Sequence, residues 1–193
     1  LKYHADVLDL MGLDNDSVMV VHGGGLYGDK EKAKERWCKQ YHDLPENVKK
    51  RLVLENCERC YSIQDCLDIS EKINIPVVFD THHYECYGIL HPEETQEPAS
   101  DYIERILETW KKREIKPKFH VSEQGAGKCG HHSDYIEVLP EYLLEIPEKY
   151  GVKIDIMIEA KKKELSIFKL YEKYPQLDCK KRKIKITVSK HSS

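Results

Sequence analysis

Five short apolar runs in this sequence each end on, or directly before, a residue that can bind a metal ion. The residues at these ends are His22, Glu55, Asp80, His120 and Glu159. Imidazoles mixed with carboxylates suit Zn²⁺ or Mn²⁺ better than Ca²⁺, which prefers oxygen ligands alone. Three carboxylates gathered in a partly dehydrated site would also repel one another unless cations lay between them. The pattern therefore predicts a site for two or more divalent metal ions, a type of centre that can hydrolyse phosphodiesters.

Two pairs of adjacent histidines offer further ligands. In VVFDTHHYE, which spans 77–85, we favour His83 over His82, because neighbouring residues on a strand point to opposite faces and only one need enter the site. In the segment 120–137, either His131 or His132 could be a ligand, and we favour His132.

A glycine-rich stretch precedes the second histidine pair. Gly125, Gly127 and Gly130 would let backbone amides approach a phosphate closely, with the charge of Lys128 nearby. Gly125, Gly127 and Lys128 are therefore candidates for binding a nucleic-acid backbone. A flexible connection with no binding role is the alternative.

The apolar runs and the stretches between them predict an α/β fold. Strands are predicted at 17–21, 51–55, 75–80, 116–121 and 154–160. Amphipathic helices are predicted at 1–13, 28–42, 62–73, 98–113, 140–149 and 160–174. Alternating strands and helices indicate a parallel sheet, either an open doubly wound sheet or a closed barrel, and a barrel would bring all the strand ends to one mouth.

Length and composition set the limits of this interpretation. A chain of 193 residues favours one domain, predicted at 1–175, followed by a basic tail at 176–193. The net charge of −3 neither requires nor excludes nucleic acid, since bound cations are not part of that count. No apolar stretch is long enough to cross a membrane and no secretory signal opens the chain, so we expect an intracellular protein, in the cytoplasm or nucleus.

Several blocks of the sequence closely resemble the ultraviolet damage endonucleases, a family of metal-dependent DNA repair nucleases. The matching blocks are VVHGGG, LVLENCERCYSIQDCLDISEKINIPVVFDTHHYE, KPKFHVSEQ, HHSDYIE and IMIEAKKKE. They agree in order and spacing over most of residues 1–175. The resemblance implies a TIM-type (β/α)8 barrel that nicks the backbone of damaged double-stranded DNA on the 5′ side of ultraviolet photoproducts.

The resemblance also implies roles for individual residues. Its metal-site positions fall on His22, Glu55, Asp80, His83, His120, His132 and Glu159. It implies two or three divalent ions, with Mn²⁺ preferred and Zn²⁺ or Mg²⁺ possible. Glu55 and Glu159 are expected to anchor or bridge the metals. Lys118 corresponds to a lysine that the family can carry in carboxylated form, which makes it a third catalytic candidate.

One departure from the family and several alternatives stand beside this interpretation. Members of the family carry an amino-terminal part with the first strands, and the present chain begins after it, so we expect an incomplete barrel that lacks about three strand-helix units, in a fragment of a longer protein. Strand-end ligands also occur in related barrels that cleave apurinic sites or that isomerise or epimerise sugars. A truncated remnant without activity is the non-enzymatic alternative.

Overall fold

The structure is a computed structural model, and it describes residues 1–178 of the chain. Almost all of the basic tail predicted at 176–193 therefore lies outside the described residues. The strands are β1 Met19–His22, β2 Leu52–Glu55, β3 Val77–Asp80, β4 Lys118–Val121 and β5 Asp155–Ile158. The helices are α1 Lys2–Leu10, α2 Lys30–His42, α3 Glu46–Lys49, α4 Ile63–Ile73, α5 Thr81–Leu90, α6 Ile103–Lys111, α7 Glu141–Leu144, α8 Ile146–Tyr150 and α9 Glu164–Lys173. Single 3-10 turns lie at Ala99–Tyr102 and Pro175–Leu177.

All five strands belong to one parallel sheet in the order β1-β2-β3-β4-β5. Each strand pairs with the next one along the chain, which confirms the predicted α/β class. Sequential order of this kind is how a barrel is wound, whereas a doubly wound sheet reverses direction partway across. Within residues 1–178, β1 and β5 lie at the two edges of the sheet and do not pair with each other.

The register of the sheet aligns the ends of neighbouring strands. His22 of β1 lies opposite Glu55 of β2, and Asp80 of β3 lies opposite His120 of β4. Parallel strands in register deliver their carboxyl ends to the same edge of the sheet. The pairing alone therefore places the predicted metal ligands side by side.

The centre of the sheet is held by buried apolar side chains and by specific bonds from α6. All residues of β2, β3 and β4 are buried, because these strands are covered on both faces. Trp110 is fully buried and its Nε1–H donates to the carbonyl of Val77 at 2.7 Å. The Thr109 hydroxyl accepts the Val77 N–H at 3.0 Å. These bonds fix the start of β3, and with it the position of the residues that follow.

Helix α5 was not among the predicted helices, and it begins where β3 ends. Thr81 to Leu90 are helical, so His82 and His83 lie on the first turn of a helix. The strand geometry used above to choose between these two histidines is therefore wrong. The cause of the helix is local, because the carboxylate of Asp80 caps it and accepts the N–H groups of both histidines at 2.8 Å.

Other helices are shorter than predicted. The segment 140–149 forms two short helices, α7 and α8, and the second has Pro147 in its first turn, where proline is tolerated because its missing N–H has no helical partner there. The segment 98–113 begins with a 3-10 turn before α6 starts at Ile103. None of the helices in residues 1–178 is long and apolar enough to span a membrane.

Candidate metal centre

A polar cavity of about 470 Å³ lies at the carboxyl ends of the strands. Six of the seven predicted metal ligands line it, and these six are His22, Glu55, His83, His120, His132 and Glu159. They come from strand ends, from the first turn of α5 and from the loop between β4 and α7, so residues up to 137 positions apart in the sequence meet in one place. Asp80 is not part of the lining, and its Oδ1 lies 4.0 Å from Nδ1 of His83.

Glu55 lies at the centre of this group. Its Oε1 accepts a hydrogen bond from Nδ1 of His120 at 2.9 Å, and its Oε2 lies 3.1 Å from Nε2 of His22. Nδ1 of His83 is 3.6 Å from Oε1. Burial would raise the pKa of the Glu55 carboxyl, but hydrogen bonds from His120 and His22 outweigh that effect and lower the pKa to about 2. Glu55 is therefore a buried carboxylate that stays ionised.

His120 lies between two carboxylates. Its Nδ1 is 2.9 Å from Oε1 of Glu55 and 2.9 Å from Oε1 of Glu159. Burial would lower the pKa of the imidazole, but the hydrogen bonds to Glu159 and Glu55 raise it to about 10. The hydrogen bond from His120 in turn lowers the pKa of Glu159. In the metal-free protein, an imidazolium therefore supplies the positive charge that the two carboxylates require.

His120 also carries a buried nitrogen without a partner, since Nε2 has no hydrogen-bond partner among the described residues. A buried, unpaired ring nitrogen costs free energy unless the site has another use for it. A metal ion would satisfy it, because a metal takes the lone pair of a neutral imidazole. This orphaned atom and the mixed imidazole–carboxylate set around it fit a transition-metal site.

His83 is oriented by a bond to the backbone. Its Nδ1 lies 3.1 Å from the carbonyl oxygen of Asn56. Because a carbonyl can only accept, this contact places the proton on Nδ1 and leaves the lone pair on Nε2. A histidine ligand is commonly fixed by such a second bond. The ring of His22 packs edge-on against that of His83, with centroids 5.2 Å apart, and a hydrogen bond to Glu55 raises the pKa of His22.

The ligand atoms fall into two groups that share one residue. His22, Glu55 and His83 form the first, and Glu55, His120 and Glu159 form the second, with the atoms of each group within 4.8 Å of one another. A carboxylate can offer one oxygen to each of two ions. The arrangement can therefore hold a pair of cations joined by Glu55.

Asp80, predicted as a metal ligand, uses one oxygen for another purpose. Its Oδ1 caps α5, and the Ser122 hydroxyl lies 3.4 Å from both carboxylate oxygens. The residue is fully buried, and burial raises the pKa of its carboxyl. The structure thus gives Asp80 a structural task that the sequence pattern did not indicate, namely to fix the helix that carries His83.

Asn56 was missed by the sequence interpretation, although it joins two strand ends. It is fully buried, its amide group donates to the carbonyl of Asp80 at 3.0 Å, and its side-chain oxygen accepts the Asp80 N–H at 2.9 Å. This pair of bonds connects β2 to β3 in the same way as a pair of backbone hydrogen bonds between neighbouring strands. Asn56 therefore sets the separation of Glu55 and Asp80, and its position directly after Glu55 was the only signal in the sequence.

Lys118, predicted as a catalytic residue, is not brought into the cavity. It lies at the amino end of β4, and its Nζ is 2.8 Å from Asp16 and 3.0 Å from Asp155. These contacts fit the ammonium form, because a carboxylated lysine would place a negative charge against two carboxylates. This placement gives no support to the catalytic role or to the modification.

The loop after β4 separates the two histidine candidates. His132 lines the cavity, with Nδ1 3.8 Å from Glu159, whereas Nδ1 of His131 lies 3.3 Å from the carbonyl of Ala126 on the outside of the loop. The Gly125 N–H donates to the His131 carbonyl at 2.6 Å, and a Cβ at Gly125 would lie 2.3 Å from the His132 carbonyl oxygen. Gly125 therefore shapes the loop, and its amide is not free for a phosphate.

The other two residues predicted to bind a nucleic-acid backbone lie further along the same loop. Gly127 has a φ of 114°, which favours glycine, and a Cβ there would lie 2.5 Å from Nδ1 of His131. Lys128 is exposed and lines a separate surface depression with Arg59 and His91. Its charge is therefore accessible from solvent.

Known proteins resemble this chain over nearly its whole length. The family model described as UV-endonuclease UvdE matches residues 1–190. A protein of Bacillus cereus (strain B4264) named UV DNA damage endonuclease is 37% identical over 176 residues, which cover 89% of this chain and 53% of that protein. A protein of the same name from Clostridium perfringens (strain 13 / Type A) is 40% identical over 173 residues, which cover 88% of this chain and 40% of that protein.

A solved structure shows the same fold. The crystal structure of SacUVDE superimposes with a TM-score of 0.72 at 32% identity, covering 91% of this chain and 57% of that chain. The chain spans about half the length of the curated relatives that it matches.

Proposed function

The chain belongs to the UV-endonuclease UvdE family, and on that premise we propose that it forms the metal-binding part of a DNA repair endonuclease that nicks the backbone on the 5′ side of ultraviolet photoproducts. The substrate in this proposal is damaged double-stranded DNA. The site residues are His22, Glu55, Asp80, His83, His120, His132 and Glu159, with Asp80 acting through its support of His83.

The observation that carries the proposal is the sharing of Glu55 between two groups of ligand atoms. Paired cations bridged by a carboxylate are a recurrent arrangement in phosphodiester hydrolysis. Imidazoles in both groups favour Mn²⁺ or Zn²⁺ over Ca²⁺. We therefore assign two ions to the groups around Glu55, with Mn²⁺ as the preferred metal, and a third position beside His132 and Glu159.

Divalent ions bound here would supply a nucleophile at neutral pH and neutralise charge that develops on the phosphate. The chain itself holds and orients them. Glu55 and Glu159 provide the anionic anchors, and His83 is kept in one tautomer by Asn56. Binding of a metal ion at Nε2 of His120 would release the proton that Nε2 carries in the imidazolium, because a ligand imidazole must be neutral, while Nδ1–H would remain between Glu55 and Glu159.

In this proposal, the recognition of a lesion depends on how easily the damaged bases leave the DNA stack as well as on contacts with the protein. A pyrimidine dimer stacks poorly, so it costs less to extrude than intact bases do. The exposed charge of Lys128 is placed to attract the backbone near the site, whereas Gly125 and Gly127 shape the loop that carries it.

We further propose that β1 and β5 are joined by additional strand-helix units of a longer protein, to complete a (β/α)8 barrel. Support comes from the sheet itself, because the residues of the edge strands β1 and β5 remain partly exposed while those of the three inner strands are buried. Measurement of amide hydrogen exchange tests this: β1 and β5 should exchange faster than β3 in this chain alone and become protected in the longer protein.

The decisive experiment is cleavage of an end-labelled duplex that carries one cyclobutane pyrimidine dimer, with Mn²⁺ present. We expect a single nick whose product length places it on the 5′ side of the dimer, and no nick in the undamaged duplex. Glu55→Gln should reduce the rate by about 10²-fold or more, since it removes the residue common to both metal groups.

Glu93→Gln is the matched control, because Glu93 is an exposed glutamate that does not line the cavity. It should nick like the wild type. Wild-type protein that binds Mn²⁺ yet leaves the damaged duplex intact, alone and in its longer form, would contradict the proposal. Binding of small polyols without DNA would favour a sugar isomerase or epimerase instead.

A further inference from the structure

Tyr27 combines an exposed ring with a left-handed backbone. Its side chain is 87% exposed, and its φ is 52°. Residues other than glycine rarely adopt this backbone conformation, and it is unfavourable for a residue with a bulky aromatic side chain. Of the four non-glycine residues with positive φ in residues 1–178, Tyr27 is the only aromatic one. Strain at an exposed residue that buries little surface in return is characteristic of functional positions.

The loop that carries Tyr27 starts at the metal centre. It follows directly from His22, which lines the cavity, and it ends at Asp29, whose side chain caps α2 by accepting the Lys32 N–H at 3.0 Å. Near its start the loop is pinned, because a Cβ at Gly23 would lie 2.6 Å from the ring of Tyr61. Both ends of the loop are therefore fixed, and Tyr27 lies five residues after the cavity-lining His22.

A positive charge accompanies the ring. The guanidinium of Arg36, an exposed residue of α2, lies 5.4 Å from the centroid of the Tyr27 ring. A cation beside an aromatic ring fits a strand of nucleic acid, because a base can stack on the ring while the cation meets a phosphate. An uncharged, buried ligand would have no use for an exposed arginine.

We propose that Tyr27 and Arg36 contact the DNA beside the metal centre, with the ring against a base or sugar and the guanidinium against a phosphate. This inference rests on the proposed function and adds two substrate-contacting residues to it. The loop leaves the carboxyl end of β1, which is the edge of the sheet where the cavity lies, and the guanidinium of Arg36 lies beside the Tyr27 ring.

Tyr27→Gly is the informative variant, since glycine relieves the strained backbone while removing the ring. We expect its melting temperature to equal or exceed that of the wild type, and its Kd for a duplex to rise about 5- to 150-fold, the range for loss of one stacking contact. Asparagine also tolerates this backbone conformation, so Tyr27→Asn should show the same stability and the same weaker binding as Tyr27→Gly. Tyr27→Phe keeps the ring and should bind like the wild type. Leu10→Ala is the control, because Leu10 is 88% exposed at the end of α1 that leads into the start of β1.

The proposed phosphate contact of Arg36 is tested separately, by the salt dependence of DNA binding. Arg36→Gln should lower the slope of log K against log salt by about 1, as expected for one lost phosphate contact. Lys39→Gln, on the exposed part of the same helix, should leave the slope unchanged.

The outcomes separate the two proposals. A wild type that nicks damaged duplex together with Tyr27→Gly and Tyr27→Asn variants that bind as tightly as it does would overturn this inference and leave the proposed function intact. Loss of folding in both variants would also overturn it, since the ring would then be structural. A wild type that neither binds nor nicks DNA would remove both proposals.

Discussion

Glu55 belongs to both groups of candidate metal ligands, and the effect of its neighbours on its carboxylate can be tested at acid pH. Hydrogen bonds from two imidazoles hold its pKa near 2, against 4.5 for an ordinary glutamate, in spite of burial. Because the unfolded chain binds the proton more readily, the contribution of Glu55 to stability is present above pH 4.5 and is lost as pH falls toward 2.

We predict that the metal-free protein loses about 3 kcal/mol more stability between pH 4.5 and pH 2 than Glu55→Gln does, which corresponds to a shift of about 2.5 pKa units. Denaturant unfolding in the presence of a chelator measures this difference. Parallel stability curves for the two proteins would show that the carboxylate is not held ionised by its neighbours.

The neighbours His131 and His132 provide a matched pair. His132 lines the cavity, whereas the ring nitrogen of His131 contacts the loop backbone. We predict that His132→Ala weakens Mn²⁺ binding about 10-fold or more, while His131→Ala changes it less than 3-fold. Titration calorimetry with Mn²⁺ measures both. Equal losses in the two variants would mean that the whole loop, and not one ring, determines the affinity.

Residue chemistry was the most predictable part of the site. Strand-end carboxylates and imidazoles are visible in the sequence, and six of the seven predicted ligands line one cavity. Asn56 and the cap formed by Asp80 were not predictable in the same way, because their importance lies in bonds to backbone groups of another strand or helix. Lys118 was predicted as a catalytic residue, but its Nζ contacts Asp16 and Asp155 instead of lining the cavity. Because these partners are distant in sequence, the sequence did not show where the side chain would lie.

At the level of elements, helix α5 was not predicted from the sequence. Its buried residues, Thr81, His82, His83, Cys86 and Tyr87, are largely polar, so the buried side of the helix does not form an apolar stripe in the sequence. A periodicity argument therefore fails, whereas α6, with Ile106, Leu107 and Trp110 buried, was predicted. The strands were predicted well because their runs are short, apolar and widely spaced.

Substitutions at Asp80 can distinguish its role as the cap of α5 from its predicted role as a metal ligand. Asparagine is as good a helix cap as aspartate, and alanine is not. We predict that, in the presence of a chelator, Asp80→Asn changes the free energy of unfolding by less than about 1 kcal/mol, and that Asp80→Ala lowers it by about 1–2 kcal/mol.

Mn²⁺ affinity completes the comparison. If Asp80 only supports His83, Asp80→Asn should bind Mn²⁺ within about 3-fold of the wild type, since helix α5 begins as before. A loss of 10-fold or more in this variant alone would show that Asp80 is itself a ligand, and that its second oxygen, now 3.4 Å from the Ser122 hydroxyl, reaches the metal.

For the whole molecule, metal binding and folding should be linked. The ligands come from all five strands or the segments that follow them, so the unfolded chain does not contain the site. We predict that Mn²⁺ at 100 times its Kd stabilises the chain by about 2.7 kcal/mol, which raises the melting temperature by about 5–10 °C. Scanning calorimetry measures the shift, and a chelator should reverse it.

Ca²⁺ at the same concentration is the control for this measurement. Because Ca²⁺ prefers oxygen ligands alone, it should produce a much smaller shift at a site with four imidazoles. An equal shift with both ions would point to binding at surface carboxylates, and the assignment of the cavity as a transition-metal centre would have to be withdrawn.

The order of the strands has one more consequence. Since every strand pairs with its sequence neighbour, a cut in any connecting loop separates the chain without threading one piece through the other. Two polypeptides made apart could then dock edge to edge and recover a working whole, as in complementation assays. Evolution can likewise lengthen, divide or recombine such a protein one unit at a time.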